Sequence, residues 1–365
     1  MIKYLVTTRL EVLEEAESAS QVFMVDGTVP GWRPTQDEYH FDHHRQGGAD
    51  IQIDEMPPLD NYKSYIDLKT VEWAEGIPNG SLIVTTQVDA DACVAAAWLQ
   101  LTKEDLFGDE IGIAARHQRK DQMVRALRAI AYDCDHLGVP EELSQYADFA
   151  AQCVAAMKAD SEFVAEWLNL PENRKEWTVE QKEEYASLAF QRGTESLIAA
   201  CKGERKFPGE CGEAAEYWEK VEKNTQMLLD ENRVTFYRDT LLIDYKGLQG
   251  TYIDPRCALK AYQFLYDNHG HECETPVTLA QREVFIDNEF KGFSYTIGCI
   301  PLHGALANLD YTKGVFEALT EAEREINPNA DGWGGRKTVG GSGWNTPSQL
   351  KPQEVIDIVL DVLNK

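Results

Sequence analysis

The chain has 365 residues, 43% of them hydrophobic, which suits two domains or one large one. Its formal net charge of −27 and pI of about 4.6 exclude ready binding to long nucleic acid or anionic membrane unless positive charge is gathered in one place. The eight cysteines are scattered without a CxxC pair, the start Met1-Ile2-Lys3-Tyr4 lacks a signal-peptide core, and no apolar run is long enough to span a bilayer. A soluble protein with free thiols in a reducing, cytoplasmic compartment is expected.

Taken in order, Ile2–Thr7 reads as a strand, Glu11–Ser18 as a short acidic helix and Gln21–Val25 as a second strand ending on Asp26-Gly27. A carboxylate at a strand end followed by Gly is where open α/β sheets place ligands. Tyr39–Phe41 leads into Asp42-His43-His44, a carboxylate beside two imidazoles. That triplet suits a divalent metal or a solvated turn. Leu59–Ala74 predicts a helix and Ser81–Thr86 an apolar strand, which runs into Gln87-Val88-Asp89-Ala90-Asp91 and a helix over Cys93–Leu101. Asp89 and Asp91 fall on the strand-to-helix turn, where they could share metal ions or serve as N-cap and first-turn acids.

Ile111–Ala115 reads as a strand or a strand–helix junction, followed by the basic run Arg116–Lys120. Gln122–Tyr132 predicts a helix closed by Asp133-Cys134-Asp135-His136. Acids at a helix C-terminus oppose its dipole and call for a metal ion, Lys or Arg nearby. From Glu141 to about Asn232 the pattern is mostly helical, over Tyr146–Met157, Ser161–Leu168, Val179–Cys201 and Glu213–Asp230, with a break at Lys202–Gly212. Strands return at Val234–Tyr237, Leu241–Tyr245, Val284–Asn288 and Ser294–Cys299, with helices at Pro255–Asp267, Thr312–Ile326 and Pro352–Leu363 and a glycine-rich loop at Gly332–Gly343. The expected fold is α/β with two domains: a mainly parallel-sheet metal-binding domain over 1–140 and a smaller C-terminal α/β domain over 233–365. A helical connector over 141–232 joins them.

Asp26, Asp42, His43, Asp89, Asp91 and Asp133 or Asp135 all fall at ends of elements in one domain. A parallel sheet would gather them at its carboxyl edge. Asp and His donors without Cys favour Mn²⁺ or Mg²⁺ over structural zinc, and the set is large enough for two ions. Two such ions activate water against phosphorus, so hydrolysis of a phosphoester or phosphoanhydride is the expected reaction class.

Val25-Asp26-Gly27 and Phe41-Asp42-His43-His44 resemble two motifs of the DHH phosphoesterase superfamily, and Val88-Asp89-Ala90-Asp91-Ala92 is similar to its D-x-D motif. Ala131-Tyr132-Asp133 is similar to its last metal-binding motif. Gly334-Gly335-Arg336-Lys337 through Gly340-Gly341 resembles the glycine segment of the associated C-terminal domain. The resemblance covers residues 1–140 and about 235–365. It implies that Asp26 bridges two metals, His43 and Asp91 hold one ion, Asp89 holds the other, and Asp133 completes the site with Asp135 as its substitute. His44 would contact the scissile phosphate, with Asp42 beside it in the catalytic set. Gly334, Gly335, Arg336, Lys337, Gly340 and Gly341 would hold the substrate's phosphates or terminus.

Three features depart from the family pattern. The D-x-D motif follows the Asp-His-His triplet instead of preceding it, Gln87 stands where an Asp or His is usual, and Arg336 replaces the usual His. The implied substrate is a short single-stranded oligonucleotide, a cyclic dinucleotide or another small phosphodiester, with no long duplex and no membrane; a homodimer is compatible with this. A regulatory nucleotide-binding protein of the same fold and a pyrophosphate hydrolase are the alternatives. His269, His271 and Cys273 near Cys257 offer zinc donors at a spacing that fits no ordinary motif. Trp32, Trp333 and Trp344 could stack on a base but suit packing better, and Cys93 and Cys134 read as half-buried thiols beside the acids. His303 is a further substrate-contact candidate.

Overall fold

The computed structural model describes residues 2–16, 21–33, 39–41, 77–238, 240–248, 253–269, 276–286, 289–300, 309–343 and 345–364. In chain order the elements are β1 (Lys3–Val6), α1 (Leu10–Ala16), β2 (Val22–Val25), β3 (Tyr39–Phe41), β4 (Leu82–Thr85), α2 (Ala90–Gln100), α3 (Lys103–Phe107), α4 (Ile113–His136), α5 (Ala147–Trp167), α6 (Val179–Cys201) and α7 (Ala215–Asp230). There follow β5 (Val234–Tyr237), β6 (Thr240–Asp244), α8 (Pro255–His269), β7 (Val277–Ile286), β8 (Glu289–Cys299), α9 (Val315–Ile326), β9 (Gly334–Gly335), β10 (Gly340–Gly341) and α10 (Pro352–Leu363). They fall into two compact units, one made of the described residues up to 172 together with 177–218, the other of 173–176 and 219 onward. No helix among the described residues is long and apolar enough to cross a membrane.

The first unit is built on a parallel four-stranded sheet in the order β1-β4-β2-β3. β2 and β4 are buried along their whole length. Such strands carry no polar face because both sides of the sheet are covered. Val22, Met24, Leu82 and Val84 pack against Leu13 of α1 and against Val29 and Trp32. Phe23, Val25 and Ile83 point the other way, into Val94, Ala97, Leu127, Ile130, Val154, Phe190 and Leu197 of α2, α4, α5 and α6. The alternation of side chains along each strand thus gives three layers, helix on sheet on helices.

Of the strand or strand–helix junction expected at Ile111–Ala115, only the helix start is present. Gly112, at φ 94°, starts α4, which runs unbroken to His136. The apolar Ile111 and Ile113 that suggested a strand are 95% and 79% exposed. Asp133 and Asp135 accordingly lie inside the last turn of a long helix that stops at Leu137 in the left-handed region (φ 54°). The two helices expected over Tyr146–Leu168 are the single helix α5. α6 begins at a capping box, with Thr178 accepting from Gln181 N at 3.2 Å and Gln181 Oε1 accepting from Thr178 N at 2.9 Å. The helix expected over 59–74 lies outside the described residues.

The second unit holds a six-stranded sheet in the order β5-β6-β7-β8-β10-β9, parallel between β6 and β7 and antiparallel elsewhere. β7 and β8 are longer than the sequence pattern indicates, because Gln281, Arg282, Glu283, Lys291 and Gly292 interrupt the apolar run without ending the ladder. Leu279, Tyr295 and Ile297 form a core with Val315 and Leu319 of α9 and Val355 and Val359 of α10.

Glu323, only 4% exposed, closes this unit. Its carboxylate accepts from Ser348 Oγ and from Gln349 N, the latter at 3.2 Å, and Ser348 pairs with Phe293 of β8 through backbone bonds of 2.7 and 2.8 Å. Glu323→Ala should destabilise the protein by about 2–4 kcal/mol, since each buried donor left unsatisfied costs about 1–3 kcal/mol. The midpoint of denaturant unfolding checks this, and an unchanged midpoint would show the clamp to be idle.

Candidate metal centre

Three carboxylates converge at the carboxyl edge of the parallel sheet. β2 and β4 are neighbours, with Met24 beside Val84 in register. Asp26 therefore leaves β2 next to the segment that leaves β4 and starts α2. The Asp26, Asp89 and Asp91 side chains each offer a ligand atom within 4.8 Å of the others. Asp26 is 3% exposed and Asp91 1%, while Asp89 is half-buried at the rim.

Local backbone geometry aims each acid. Asp26 itself lies at φ 46°, and Gly27 follows at φ 106°. The resulting turn folds Asp26 back over the sheet edge. A β-carbon on Gly27 would lie 2.2 Å from Thr86 Oγ1, so only glycine fits there. Asp89 is the N-cap of α2 and accepts from Ala92 N at 3.3 Å and from Gln87 Nε2 at 3.0 Å. Asp91 occupies the first turn of the same helix. The capping role foreseen for Asp89 is thus real, and it coexists with its place in the cluster.

Burial pushes the Asp89 carboxyl above its ordinary range; hydrogen bonding with Asp91 and Asp26 works the other way, and the charge of Asp135 adds to the rise. Unit charges 4 Å apart at an effective dielectric of about 20 repel by about 4 kcal/mol. A hard divalent cation turns that repulsion into attraction, and an all-oxygen donor set suits Mg²⁺ or Mn²⁺. The residues present fit such an ion.

Of the other residues expected at the centre, Asp135 bears electrostatically on Asp89, whereas Asp133, 3% exposed, lies where its charge acts on Cys153 of α5. Cys134, between them, accepts from Ala90 N at 3.3 Å. Burial raises its thiol well above the usual value, and the charges of Asp91, Asp89 and Asp135 add to this, so it is a neutral thiol docking α4 against the start of α2. Cys93 is buried, and its thiol is likewise raised by burial and then by Asp89. Asp42, His43 and His44 lie outside the described residues, as do His271, Cys273, His303 and Trp344.

The glycine segment forms a small hairpin. Gly335 pairs with Gly340 and Gly334 with Gly341, and β10 pairs in turn with Ile297 and Thr296 of β8. Arg336 N donates to Val339 O at 2.6 Å across the turn. A β-carbon on Gly340 would meet the Phe316 ring at 2.4 Å, and one on Gly335 would meet the Gly340 backbone at 2.3 Å. Close packing therefore accounts for both glycines. Arg336 is buried and Lys337 exposed. Trp333 stacks on Tyr295 with ring centroids 5.7 Å apart, and Trp32 belongs to the core under α1; both are packing residues.

Sequence reasoning passed over Thr85 and Thr86 as parts of the site.

No family model matches the chain, and no curated protein matches it. Among solved structures it is similar to PggH, a pGpG-specific phosphodiesterase from Vibrio cholerae, at 13% identity and a TM-score of 0.27. That match covers 48% of this chain and spans 50% of the other. An uncharacterized protein from Helicobacter pylori G27 matches at 10% identity over 94% of this chain and 99% of that one, with a TM-score of 0.19.

Proposed function

We propose that the protein is a metal-dependent phosphoesterase acting on a small nucleotide, a dinucleotide or a short single-stranded oligonucleotide. The observation that carries this reading is the meeting of Asp26, Asp89 and Asp91 within 4.8 Å at the carboxyl edge of a parallel sheet, on motifs that resemble the DHH superfamily. Asp26 and Asp91 would hold a divalent cation from the buried side and Asp89 from the rim, with Asp135 adding negative charge. Bound there, the cation supplies Lewis acidity and charge neutralisation toward a phosphoryl oxygen. Asp89 is the least buried of the three acids and marks the side of the cluster nearest solvent.

A second reading is that the chain binds a nucleotide without cleaving it. Gln87 favours it: its amide donates to Asp89 Oδ2 while Ala92 N holds Oδ1, so both oxygens of the rim carboxylate are engaged within the chain.

Hydrolysis of bis(p-nitrophenyl) phosphate and of a labelled dinucleotide, each with Mn²⁺, Mg²⁺ or EDTA, separates the two. Phosphoesterase activity should require the metal and should fall about a thousandfold or more in an Asp89→Ala/Asp91→Ala variant. Loss of several kcal/mol of charge stabilisation at about 1.4 kcal/mol per decade gives that figure. Folded protein that binds the dinucleotide yet turns over neither substrate with any metal would favour the second reading.

A further inference from the structure

We infer that Thr85 is a positioning residue of the metal centre, a buried side chain that ties the two acid-bearing loops to each other; this rests on the metal-binding reading above. Thr85 is the last residue of β4 and is fully buried. Its hydroxyl lies 2.9 Å from Asp26 O and 3.0 Å from Gln87 O, within reach of both carbonyls at once, and Gln87 N approaches Oγ1 at 3.5 Å. One of those carbonyls belongs to the loop that carries Asp26. The other belongs to the loop that carries Asp89 and Asp91. The β2–β4 ladder stops at Met24 and Val84, short of both loops.

Asp26 needs such support. It holds a left-handed conformation without being glycine, at φ 46°, and its carbonyl is the atom that Thr85 grips. Residues kept in that region persist where surrounding contacts over-determine them. On the other side of β4, Thr85 O accepts from Thr7 N at 3.1 Å, so the staple is itself anchored to β1. Valine has the same shape as threonine but cannot donate, so Thr85→Val removes the staple and keeps the volume. Serine keeps the hydroxyl.

Supporting hydrogen bonds of this kind typically change metal affinity by about 10–100-fold. The test is Mn²⁺ binding by the full chain, followed by calorimetry, for wild type, Thr85→Val and Thr85→Ser, with thermal unfolding in EDTA alongside. Thr85→Val should bind Mn²⁺ at least about tenfold more weakly, and Thr85→Ser should bind within a few-fold of wild type. Should valine prevent folding, Thr85→Ala carries the same comparison against serine. Equal affinity for the hydroxyl-free variant and wild type overturns the role of Thr85 while leaving the metal centre standing. Wild type that binds no Mn²⁺ overturns the metal reading and the positioning role together.

Discussion

Asp91→Asn should make the metal-free protein more stable and the metal-loaded protein less stable than wild type. Asp91 is 1% exposed, and its carboxylate shares a 4.8 Å cluster with Asp26 and Asp89. Without a cation, full charges at such distances repel by about 4 kcal/mol a pair at an effective dielectric of about 20. Proton uptake by Asp89 relieves part of this, so asparagine should gain about 1–2 kcal/mol, a few degrees in melting temperature for a chain of this size. With Mn²⁺ at a hundred times its dissociation constant, wild type gains about 2.7 kcal/mol, and the variant gains little. Thermal unfolding of both proteins, with EDTA and with Mn²⁺, should therefore show the order of stability reverse. The same order in both conditions would mean that the cluster does not hold a cation.

A pH dependence accompanies this in EDTA. The Asp89 carboxyl is held above its ordinary range in the folded state, by burial first and by Asp135 among its neighbours. The folded protein therefore binds a proton that the unfolded chain has already released. The contribution to stability is complete below the unfolded carboxyl pKa and is lost as pH rises through the folded one. Metal-free wild type should lose stability on going from acid toward neutral pH, and Asp89→Asn should flatten that loss. Saturating Mn²⁺ should cancel it, because the cation favours the charged carboxylate.

The parallel sheet was legible because β1, β2 and β4 are short apolar runs ending in turn residues, and burial on both faces demands that pattern. β7 and β8 were read too short because a sheet with one exposed end tolerates Arg282, Glu283 and Lys291 in the ladder, and alternation fails there as a signal. Ile111-Gly112-Ile113 misled for a different reason. Two apolar residues around glycine look like a strand, yet they stand in solvent before a helix whose periodic face starts later, at Lys120 and Val124. At the site, the acids Asp26, Asp89 and Asp91 could be named from their positions after strands. What could not be read was that Asp133 and Asp135 lie inside the last turn of a long helix, since that depends on how far α4 continues. Nor could the hydroxyl of Thr85 be read, because its partners are backbone carbonyls from two separate loops.

Gly27→Ala should cost both stability and metal affinity, because two independent faults fall on one residue. The first is conformational: φ 106° is a region where an L side chain is strained by about 1–3 kcal/mol. The second is steric: the new methyl would lie 2.2 Å from Thr86 Oγ1, so the Asp26–Gly27 turn or the Thr86 segment must move. Thr86 is itself buried, on the short path from β4 to Asp89, so either movement separates Asp26 from its partners. A combined loss of about 2–6 kcal/mol is expected in denaturant unfolding, the clash adding an overpacking cost of about 1–3 kcal/mol to the strain, with Mn²⁺ bound at least about tenfold more weakly. Gly112→Ala supplies the control: φ there is 94°, but nothing lies within 4 Å of the added carbon, so it carries strain without a clash and is remote in sequence from the acids. Thr86→Ala in the Gly27→Ala background removes the clash and leaves the strain. A double-mutant cycle should then return part of the stability and most of the metal affinity. If affinity stays low while stability recovers, the φ of residue 27, and not the approach of Thr86, aims Asp26.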